Sequence, residues 1–367
     1  MQTKAAVVYE HDKPVTIDTL TLADPKKGEV LLRMSAAGVC HSDLSVVNGT
    51  IYYDPPVVLG HEGAGIVERV GEGVTYVKPG DHVILSFITY CGECPTCQAE
   101  RACLCKTYST RLGYLLDDTC RLHNKAGLEI PQMARIGTMS ELSVVPENAL
   151  IKIDPDYPLD RAALVGCGVT TGVGAVLKTA QVEPGSTVAV IGSGGVGLNV
   201  IQGAVLADAA KIIAVDLVDR KLEYAKQFGA THTINGADVD AIEAVRDLTD
   251  GMGADYVFEA IGNSRVMEQA FEMARPTGAA VIVGMARNDD HISIPPQNLA
   301  RTEKRLMGSF YGSSNPRVDM PYYLKLYDEG KLKLDELITK TYKLDQINQA
   351  FDDMHDGKNA RGMILFD

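Results

Sequence analysis

The chain has 367 residues with 46% hydrophobic side chains, enough for two buried cores and too many for a disordered protein. The formal net charge of −13 argues against nucleic acid or an anionic membrane surface as the partner. The opening residues, MQTKAAVVYEHDKP, lack an apolar signal segment, and the longest weakly polar stretch, residues 162–177, falls short of a membrane span. We therefore expect a soluble cytoplasmic protein, in which clustered cysteines are metal ligands or redox groups rather than disulfides.

The first part of the chain is rich in predicted strands. The short runs KAAVVYE, EVLLRMSAAGV, GAGIVERVG and DHVILSF are separated by Gly, Pro and Asp turns. This pattern predicts a small twisted or barrel-like β domain over residues 1–168, with a cysteine-rich lobe at 91–105.

From about residue 170, short apolar strands alternate with helix-like segments. TVAVIG, KIIAVD, ADYVFEAIG and AAVIVGM are the strands, and GGVGLNVIQGAVLADA and RKLEYAKQFGA are two of the helices. Such alternation is typical of βαβ units and of an α/β fold with a doubly wound parallel sheet, predicted here for residues 169–310. The tail, residues 311–367, ends in a helix and a strand, GMILF, and we expect it to return to the first domain.

The stretch TVAVIGSGGVG places a glycine motif between a strand and an apolar helix. The spacing Gly192-x-Gly194-x-x-Gly197 in that context indicates a dinucleotide-binding turn, with the pyrophosphate at the helix N-terminus. Asp216 ends the next strand, where a carboxylate binds ribose hydroxyls and repels a 2′-phosphate, so the sequence favours NAD over NADP. The alternative is an ordinary tight turn without a ligand.

Five of the eight cysteines lie in CGECPTCQAERACLC. Cys91, Cys94, Cys97 and Cys105 follow the pattern C-x2-C-x2-C-x7-C, which can surround one tetrahedral ion and leave no open position, as in a structural zinc site. Cys103 is close enough to compete, but only one of the last two thiols is needed. An iron–sulfur cluster, a redox CxxC pair and unliganded buried thiols are the alternatives.

A second set of ligand types is scattered along the chain. Cys40 in AAGVCHSDLS, His61 in VVLGHEGAG and Cys167 in LVGCGVTTG lie in or near glycine-flanked turns. Each alone is compatible with an ordinary core residue. Together they supply two thiolates and one imidazole, which leaves one open position at a tetrahedral zinc and suits a catalytic site.

The sequence resembles the zinc-dependent medium-chain alcohol dehydrogenases, particularly their class III-like and aryl-alcohol branches. The segments that carry the resemblance are GVCHSD, LGHEGAGIVERVGEGV, CGECPTC, VGCGVTTGVGAV, VEPGSTVAVIGSGGVGL and DGKNAR. Alcohol dehydrogenase is itself the standard example of a catalytic zinc bound by two cysteines and a histidine. The resemblance implies a GroES-like catalytic domain, a Rossmann domain, NAD, and two zinc ions per chain.

The resemblance also implies roles for individual residues. The residues implied in the reaction are the catalytic zinc ligands Cys40, His61 and Cys167, the nearby carboxylate Glu62, Asp43 as the acceptor for His61, and Ser42 as the group that takes the substrate proton. Those implied at the structural zinc are Cys91, Cys94, Cys97 and Cys105, whereas Cys103 and Cys120 match no ligand position. Those implied at the cofactor are His41, Thr171, Gly192, Gly194, Gly195, Val196, Gly197, Asp216, Lys221 and Arg361.

The expected substrate is an aromatic, allylic or alkyl primary alcohol, because Ile51 and Phe87 match pocket-wall positions. The alternatives are a thiol adduct of formaldehyde, of the S-hydroxymethyl glutathione type, and a carboxylated or CoA-thioester cyclic alcohol, for which Arg135 would be the anion partner. Two departures from the family bear on this choice: Ser45 replaces a histidine that ends the proton relay, and Ser109 replaces an anion-binding arginine, with Arg111 two residues further on. The family also implies a homodimer or homotetramer, with RLMGSFYGS as the pairing edge.

Overall fold

The computed structural model describes residues 1–107 and 110–366. The chain divides into two compact units. The first contains Met1–Cys167, Asn315–Glu329 and Leu334–Asp367, and the second contains Gly168–Ser314 and Gly330–Lys333.

Strands make up the sheets of both units. In chain order they are β1 (Gln2–Val8), β2 (Thr16–Leu22), β3 (Glu29–Val39), β4 (Val57–Val58), β5 (Gly63–Val70), β6 (His82–Leu85), β7 (Leu122–His123), β8 (Glu129–Ile130), β9 (Leu142–Pro146), β10 (Leu150–Ile153), β11 (Thr187–Ile191), β12 (Lys211–Asp216), β13 (His232–Asn235), β14 (Ala254–Glu259), β15 (Ala274–Ile282), β16 (Arg305–Gly308), β17 (Ile338–Tyr342) and β18 (Arg361–Leu365).

The α-helices are α1 (His41–Val47), α2 (Pro95–Gln98), α3 (Leu159–Leu164), α4 (Thr170–Gly174), α5 (Gly195–Leu206), α6 (Asp219–Gln227), α7 (Ala241–Asp247), α8 (Ser264–Met273), α9 (Pro296–Thr302), α10 (Pro316–Asp328) and α11 (Ile347–His355). Short 3₁₀ turns cover Ala102–Leu104, Met133–Arg135, Glu147–Ala149, Tyr311–Ser313 and Leu344–Gln346, and π-helical turns cover Val165–Val169 and Ala175–Ala180.

The first unit contains two sheets, ordered β4-β1-β2-β7-β8 and β10-β6-β5-β3-β18-β17, with β9 paired to β3 in the second. β3 is the central strand of that sheet and is buried along most of its length. It pairs antiparallel with β18, so Val39 lies opposite Gly362. The end of the chain therefore runs beside the residue that precedes Cys40.

The second unit is built on a six-stranded sheet with the order β13-β12-β11-β14-β15-β16. Every pairing in it is parallel. The inner strands are runs of buried apolar residues, as expected when helices cover both faces of a parallel sheet. This 3-2-1-4-5-6 order is that of a Rossmann sheet, so the predicted fold class is confirmed.

The expectation about membrane-spanning segments needs a correction. The helical segment Leu159–Ala180 has 22 residues and is long and apolar enough to cross a bilayer, because it extends beyond the apolar stretch noted in the sequence. However, 78% of its most apolar window is buried within the protein. That burial is typical of a core helix of a soluble protein.

Candidate active site

The first unit brings three of the predicted ligands together. Cys40 precedes α1, His61 lies in the turn between β4 and β5, and Cys167 lies in the π-turn after α3. Their ligand atoms all lie within 4.8 Å of one another, and His61 Nε2 is 3.3 Å from Cys167 Sγ. Ligand distances of a tetrahedral zinc predict about 3.6 Å between nitrogen and sulfur donors, so the three side chains fit around one ion.

A buried carboxylate fixes two of these ligands. Asp43 Oδ1 accepts hydrogen bonds from His61 Nδ1 at 3.0 Å and from the Gly60 amide at 3.2 Å. Its other oxygen accepts from the Cys40 amide at 3.1 Å. With Nδ1 as the donor, His61 Nε2 keeps its lone pair for a metal. The sequence predicted the bond to His61 but not the two backbone bonds.

The three ligands perturb one another's proton affinity. The hydrogen bond from Cys167 holds the pKa of the Cys40 thiol well below its ordinary value, although burial opposes this. The same contact, together with burial, raises the pKa of Cys167. Burial favours neutral His61, but Asp43 and Cys40 outweigh it and raise the His61 pKa. The cluster therefore holds one thiolate readily, and a metal cation would displace the protons of Cys167 and His61.

Glu62 and Arg361 form a buried ion pair beside this cluster. Arg361 Nη2 donates to Glu62 Oε1, and neither side chain is more than 6% exposed. Burial raises the pKa of the Glu62 carboxyl to about 7, against the opposing charge of Arg361. The carboxylate lies over Gly38, where an added Cβ would be 2.1 Å from Glu62 Oε1.

Two of the side chains predicted to contact the substrate lie beside the cluster in the first unit. The Phe87 ring meets the His61 ring edge-on with centroids 5.8 Å apart. Ser42 Oγ is 3.9 Å from Cys40 Sγ. Ile51 packs on the core cluster that contains Val46, and its amide donates to the Ser45 carbonyl. The Phe87 ring and the Ser42 hydroxyl therefore lie close to the candidate metal site.

The candidate anion-binding arginines lie apart from the metal ligands in sequence and have neighbours of their own. Arg135 is half-buried in a left-handed backbone conformation, and its guanidinium donates to Thr110 Oγ1 at 2.9 and 3.1 Å. Arg111 is paired with Asp118 and lies 3.6 Å above the Tyr114 ring. Ser109 lies outside the described residues.

The second cysteine cluster has the dimensions of a four-thiolate site. Neighbouring sulfurs in the set Cys91, Cys94, Cys97 and Cys105 are 3.5–4.0 Å apart. A tetrahedral zinc with Zn–S bonds of about 2.3 Å requires about 3.8 Å between sulfurs, whereas a disulfide requires about 2.05 Å. None of the eight cysteines, all of which the structure describes, forms a disulfide, and Cys103 and Cys120 are buried outside the four-thiol group.

The glycine-rich turn in the second unit has the geometry of a phosphate-binding loop. Gly192 has φ +95°, and an added Cβ on Gly197 would lie 1.7 Å from the Gly192 carbonyl oxygen. Gly194 has nothing within 4 Å of its missing side chain and immediately precedes α5. Asp216 accepts from the Ser193 amide at 2.7 Å and from the amides of the two residues that follow it.

Other features of the second unit suit a bound dinucleotide. Ser193 Oγ is buried without a hydrogen-bond partner among the described residues. Leu217, Ile261 and Met285 follow β12, β14 and β15 and are 66%, 54% and 60% exposed. Apolar side chains at the carboxyl edge of a parallel sheet are in the usual place for a nucleotide. Ser193, Ile261 and Met285 were not singled out from the sequence, although Ser193 follows one predicted strand segment and the other two lie at the ends of such segments.

The remaining cofactor candidates lie in different parts of the chain. Thr171 is in α4, where the next residue, Gly172, packs against Val196 and Asn199 of α5 in the second unit. Lys221 is in α6, after the Asp216 turn. His41 is exposed at the first position of α1 in the first unit.

Both parts of the chain match known protein families. Residues 26–155 match the alcohol dehydrogenase GroES-like domain, and residues 195–329 match the zinc-binding dehydrogenase family. An NDMA-dependent alcohol dehydrogenase of Amycolatopsis methanolica is 42% identical over 370 residues, covering 100% of this chain and 99% of that protein.

Two further proteins resemble the chain over nearly its whole length. An S-(hydroxymethyl)glutathione dehydrogenase of Saccharomyces cerevisiae is 42% identical over 375 residues, covering 99% of this chain and 96% of that one. The crystal structure of benzyl alcohol dehydrogenase from Acinetobacter calcoaceticus has a TM-score of 0.91 and 30% identity, with both chains covered completely. With identities of this size over its full length, the chain belongs to the zinc-dependent medium-chain alcohol dehydrogenases, a family of oxidoreductases.

Proposed function

We propose that the protein is an NAD-dependent zinc alcohol dehydrogenase that interconverts primary aromatic, allylic or alkyl alcohols and their aldehydes. The observation that carries the proposal is the convergence of Cys40, His61 and Cys167 on one point, with Asp43 behind the imidazole. Two thiolates and one imidazole leave one of four tetrahedral positions for an alcohol oxygen.

Each chain would bind two zinc ions. Cys40, His61 and Cys167 would hold the catalytic ion, and Cys91, Cys94, Cys97 and Cys105 would hold a structural one. When bound, the catalytic zinc supplies a Lewis acid that lowers the pKa of an alcohol, and NAD supplies the hydride acceptor. The four-thiol site leaves no ligand position open, which supports a structural role for it.

The residues around the catalytic ligands have distinct roles in this proposal. Ser42 would accept the hydroxyl proton of the substrate. Phe87 and Ile51 would bind the apolar part of the alcohol and exclude water; Phe87 packs against the His61 ring, and the family resemblance supplies the assignment of Ile51. Glu62 would stay paired with Arg361 unless it approaches the metal during ligand exchange.

The second unit would bind NAD. The N-terminus of α5 and the turn formed by Gly192, Gly194, Gly195, Val196 and Gly197 would hold the pyrophosphate. Asp216 would accept from the ribose, since a carboxylate keeps free lone pairs beyond its three amide donors. The family resemblance supplies the assignments of Thr171, Lys221, His41 and Arg361 to the cofactor.

A second substrate class is a thiol adduct of formaldehyde. The name of the yeast relative, S-(hydroxymethyl)glutathione dehydrogenase, favours it. The name of the Acinetobacter structure, benzyl alcohol dehydrogenase, favours the first class. Arg111 is already paired with Asp118, so it is less available to bind an anionic group of the substrate. Arg135 would be the remaining cationic partner for a carboxylated or thioester substrate.

We also propose a cytoplasmic homodimer or homotetramer that uses β16. This strand pairs with β15 and forms one edge of the parallel sheet. Its residues are mostly exposed, including Leu306, and an unpaired strand edge is a surface on which a second copy can add.

The decisive experiment measures NADH formation by the zinc-loaded protein. Benzyl alcohol would be supplied in one reaction, and formaldehyde with glutathione in another. Turnover in the first reaction alone supports the proposal, and turnover in the second alone replaces it with the thiol-adduct activity.

A ligand variant separates chemistry from cofactor binding. Cys40→Ala is expected to abolish turnover while NADH still binds, because the glycine-rich turn belongs to the other unit. Retained turnover would overturn the zinc mechanism. Metal analysis is expected to give two zinc ions per wild-type chain.

A further inference from the structure

A buried polar network lies next to the ion pair at the C-terminal strand. Tyr342 Oη donates to Asp353 Oδ2 at 2.8 Å and accepts from Asn359 Nδ2 at 3.0 Å. Asp353 also pairs with Lys340 and Lys358 and accepts from Gln349 at 3.0 Å. Tyr342, Asp353 and Asn359 are 4%, 2% and 7% exposed.

The network holds the backbone on both sides of Arg361. Asn359 lies two residues before the arginine. On the other side, an added Cβ on Gly362 would be 2.9 Å from Tyr342 Cε2, so the tyrosine ring packs directly on the backbone there. Tyr342 ends β17, which pairs in parallel with β18, so one side chain connects both flanks of Arg361.

The geometry of the ion pair makes such support necessary. Arg361 Nη2 donates a hydrogen bond to Glu62 Oε1, while Arg361 Nε has no hydrogen-bond partner among the described residues. A fork-shaped bidentate pair would fix the guanidinium plane through two hydrogen bonds, whereas one hydrogen bond fixes it less firmly. The position of the backbone that carries the arginine therefore contributes to the orientation of the guanidinium.

We propose that Tyr342, Asp353 and Asn359 are positioning residues that hold the Arg361 guanidinium on Glu62 and so keep this carboxylate off the metal at Cys40, His61 and Cys167. The reason is that Glu62 is fully buried beside those ligands, where an ionised carboxylate needs a cationic partner. Once Arg361 moves away, the nearest alternative cation for Glu62 is the metal ion. The inference rests on the proposed function, because it requires a metal at this cluster.

The test uses the full-length protein with Co²⁺ in the catalytic site, since the visible absorption bands of Co²⁺ report the number and type of its ligands. Tyr342→Phe and Asp353→Asn are compared with the matched control Asp352→Asn, which removes the same charge from the neighbouring, exposed position of α11. Both network variants are expected to change the Co²⁺ bands towards added carboxylate ligation. They should also lower kcat/KM for benzyl alcohol about ten-fold, as loss of outer ligand-supporting contacts does.

A coupling experiment separates positioning from general stability. In an Arg361→Lys background, Tyr342→Phe should leave the Co²⁺ spectrum and kcat/KM unchanged, because the network acts through the guanidinium. The same loss in both backgrounds, or a lower Tm with an unaltered spectrum, would overturn the inference. If the wild-type cluster binds no Co²⁺, the proposed function falls and the inference with it. If it binds Co²⁺ and the network variants match Asp352→Asn, the inference alone falls.

Discussion

Asp43 and His61 form a buried pair in which the ring Nδ1 lies 3.0 Å from the carboxylate Oδ1. The same carboxylate accepts the backbone amides of Cys40 and Gly60. One acidic side chain thus fixes the ring of one candidate ligand and the chain segments that carry two of them. Because Asp43 lies in α1 and makes all three hydrogen bonds, this one short helix can hold both Cys40 and His61 in position.

Replacement of Asp43 by asparagine should weaken metal binding at this cluster. The amide has only one acceptor oxygen, so at least one of its three donors must face an NH₂ group. We expect zinc affinity at the catalytic site or kcat/KM to fall about 10- to 100-fold. Competition with a chelator and steady-state kinetics measure the two effects. Asp12→Asn, at an exposed site, is the control, and equal behaviour of the two variants would contradict the role given to Asp43.

Gly38→Ala should displace the Glu62–Arg361 pair. The new methyl group would lie 2.1 Å from Glu62 Oε1, and Gly38 is buried in β3, where it pairs with Met363 of β18. Overpacking of this kind costs about 1–3 kcal/mol of unfolding free energy. Thermal or denaturant unfolding measures the loss relative to the wild-type protein. Wild-type stability of Gly38→Ala would show that Glu62 can move away at no cost.

The parallel sheet was predictable because the sequence of each inner strand is a short, continuous apolar segment that is easy to recognise. KIIAVD coincides with β12, and TVAVIG and ADYVFEAIG contain β11 and β14, since strands buried on both faces are continuous apolar runs. The cysteine and histidine candidates were predictable from residue type and turn position. Their assignment as zinc ligands remains a prediction until metal is measured.

The contact between Glu62 and Arg361 was not predictable from local pattern. The two residues are 299 positions apart, and the register of β18 on β3 brings the arginine to the site. Register depends on packing over a whole sheet, which periodicity in one segment does not report. For the same reason, the local sequence does not distinguish Tyr342, in a C-terminal strand, or Asp353, in a C-terminal helix, from ordinary polar residues.

Asp216→Ala should reduce the preference for NAD over NADP. The carboxylate accepts from the Ser193 amide and is proposed to accept from the ribose, so its loss would remove a ribose acceptor and loosen the glycine-rich turn. We expect the Kd for NADH to rise about ten-fold or more, while NADPH changes less because the repulsion of its phosphate is lost. Fluorescence titration measures both constants. Asp219→Asn, which alters an exposed carboxylate paired with Asn235, is the control, and an equal loss for both cofactors would remove the argument for NAD.

Zinc binding to the four-thiol lobe should strengthen as the pH rises. The hydrogen bond from Thr96 lowers the pKa of Cys94 to about 5, so this thiol is ionised at neutral pH. Burial raises the pKa of Cys97 to about 12, so this thiol keeps its proton until the metal displaces it. Affinity should therefore rise about ten-fold per pH unit for each proton released. Chelator competition at two pH values checks this, and a pH-independent affinity would contradict it.

The same lobe distinguishes Cys103 from Cys105, two thiols separated by one residue. Cys105 Sγ lies 3.7 Å from Cys91 Sγ and 3.8 Å from Cys94 Sγ, whereas Cys103 is buried outside the four-thiol group. Cys105→Ser should reduce the zinc content from two ions to one per chain, because a neutral hydroxyl is a poor substitute for a thiolate. Cys103→Ser should keep both ions. Elemental analysis after dialysis measures the content, and zinc loss from the Cys103 variant alone would exchange the roles of the two residues.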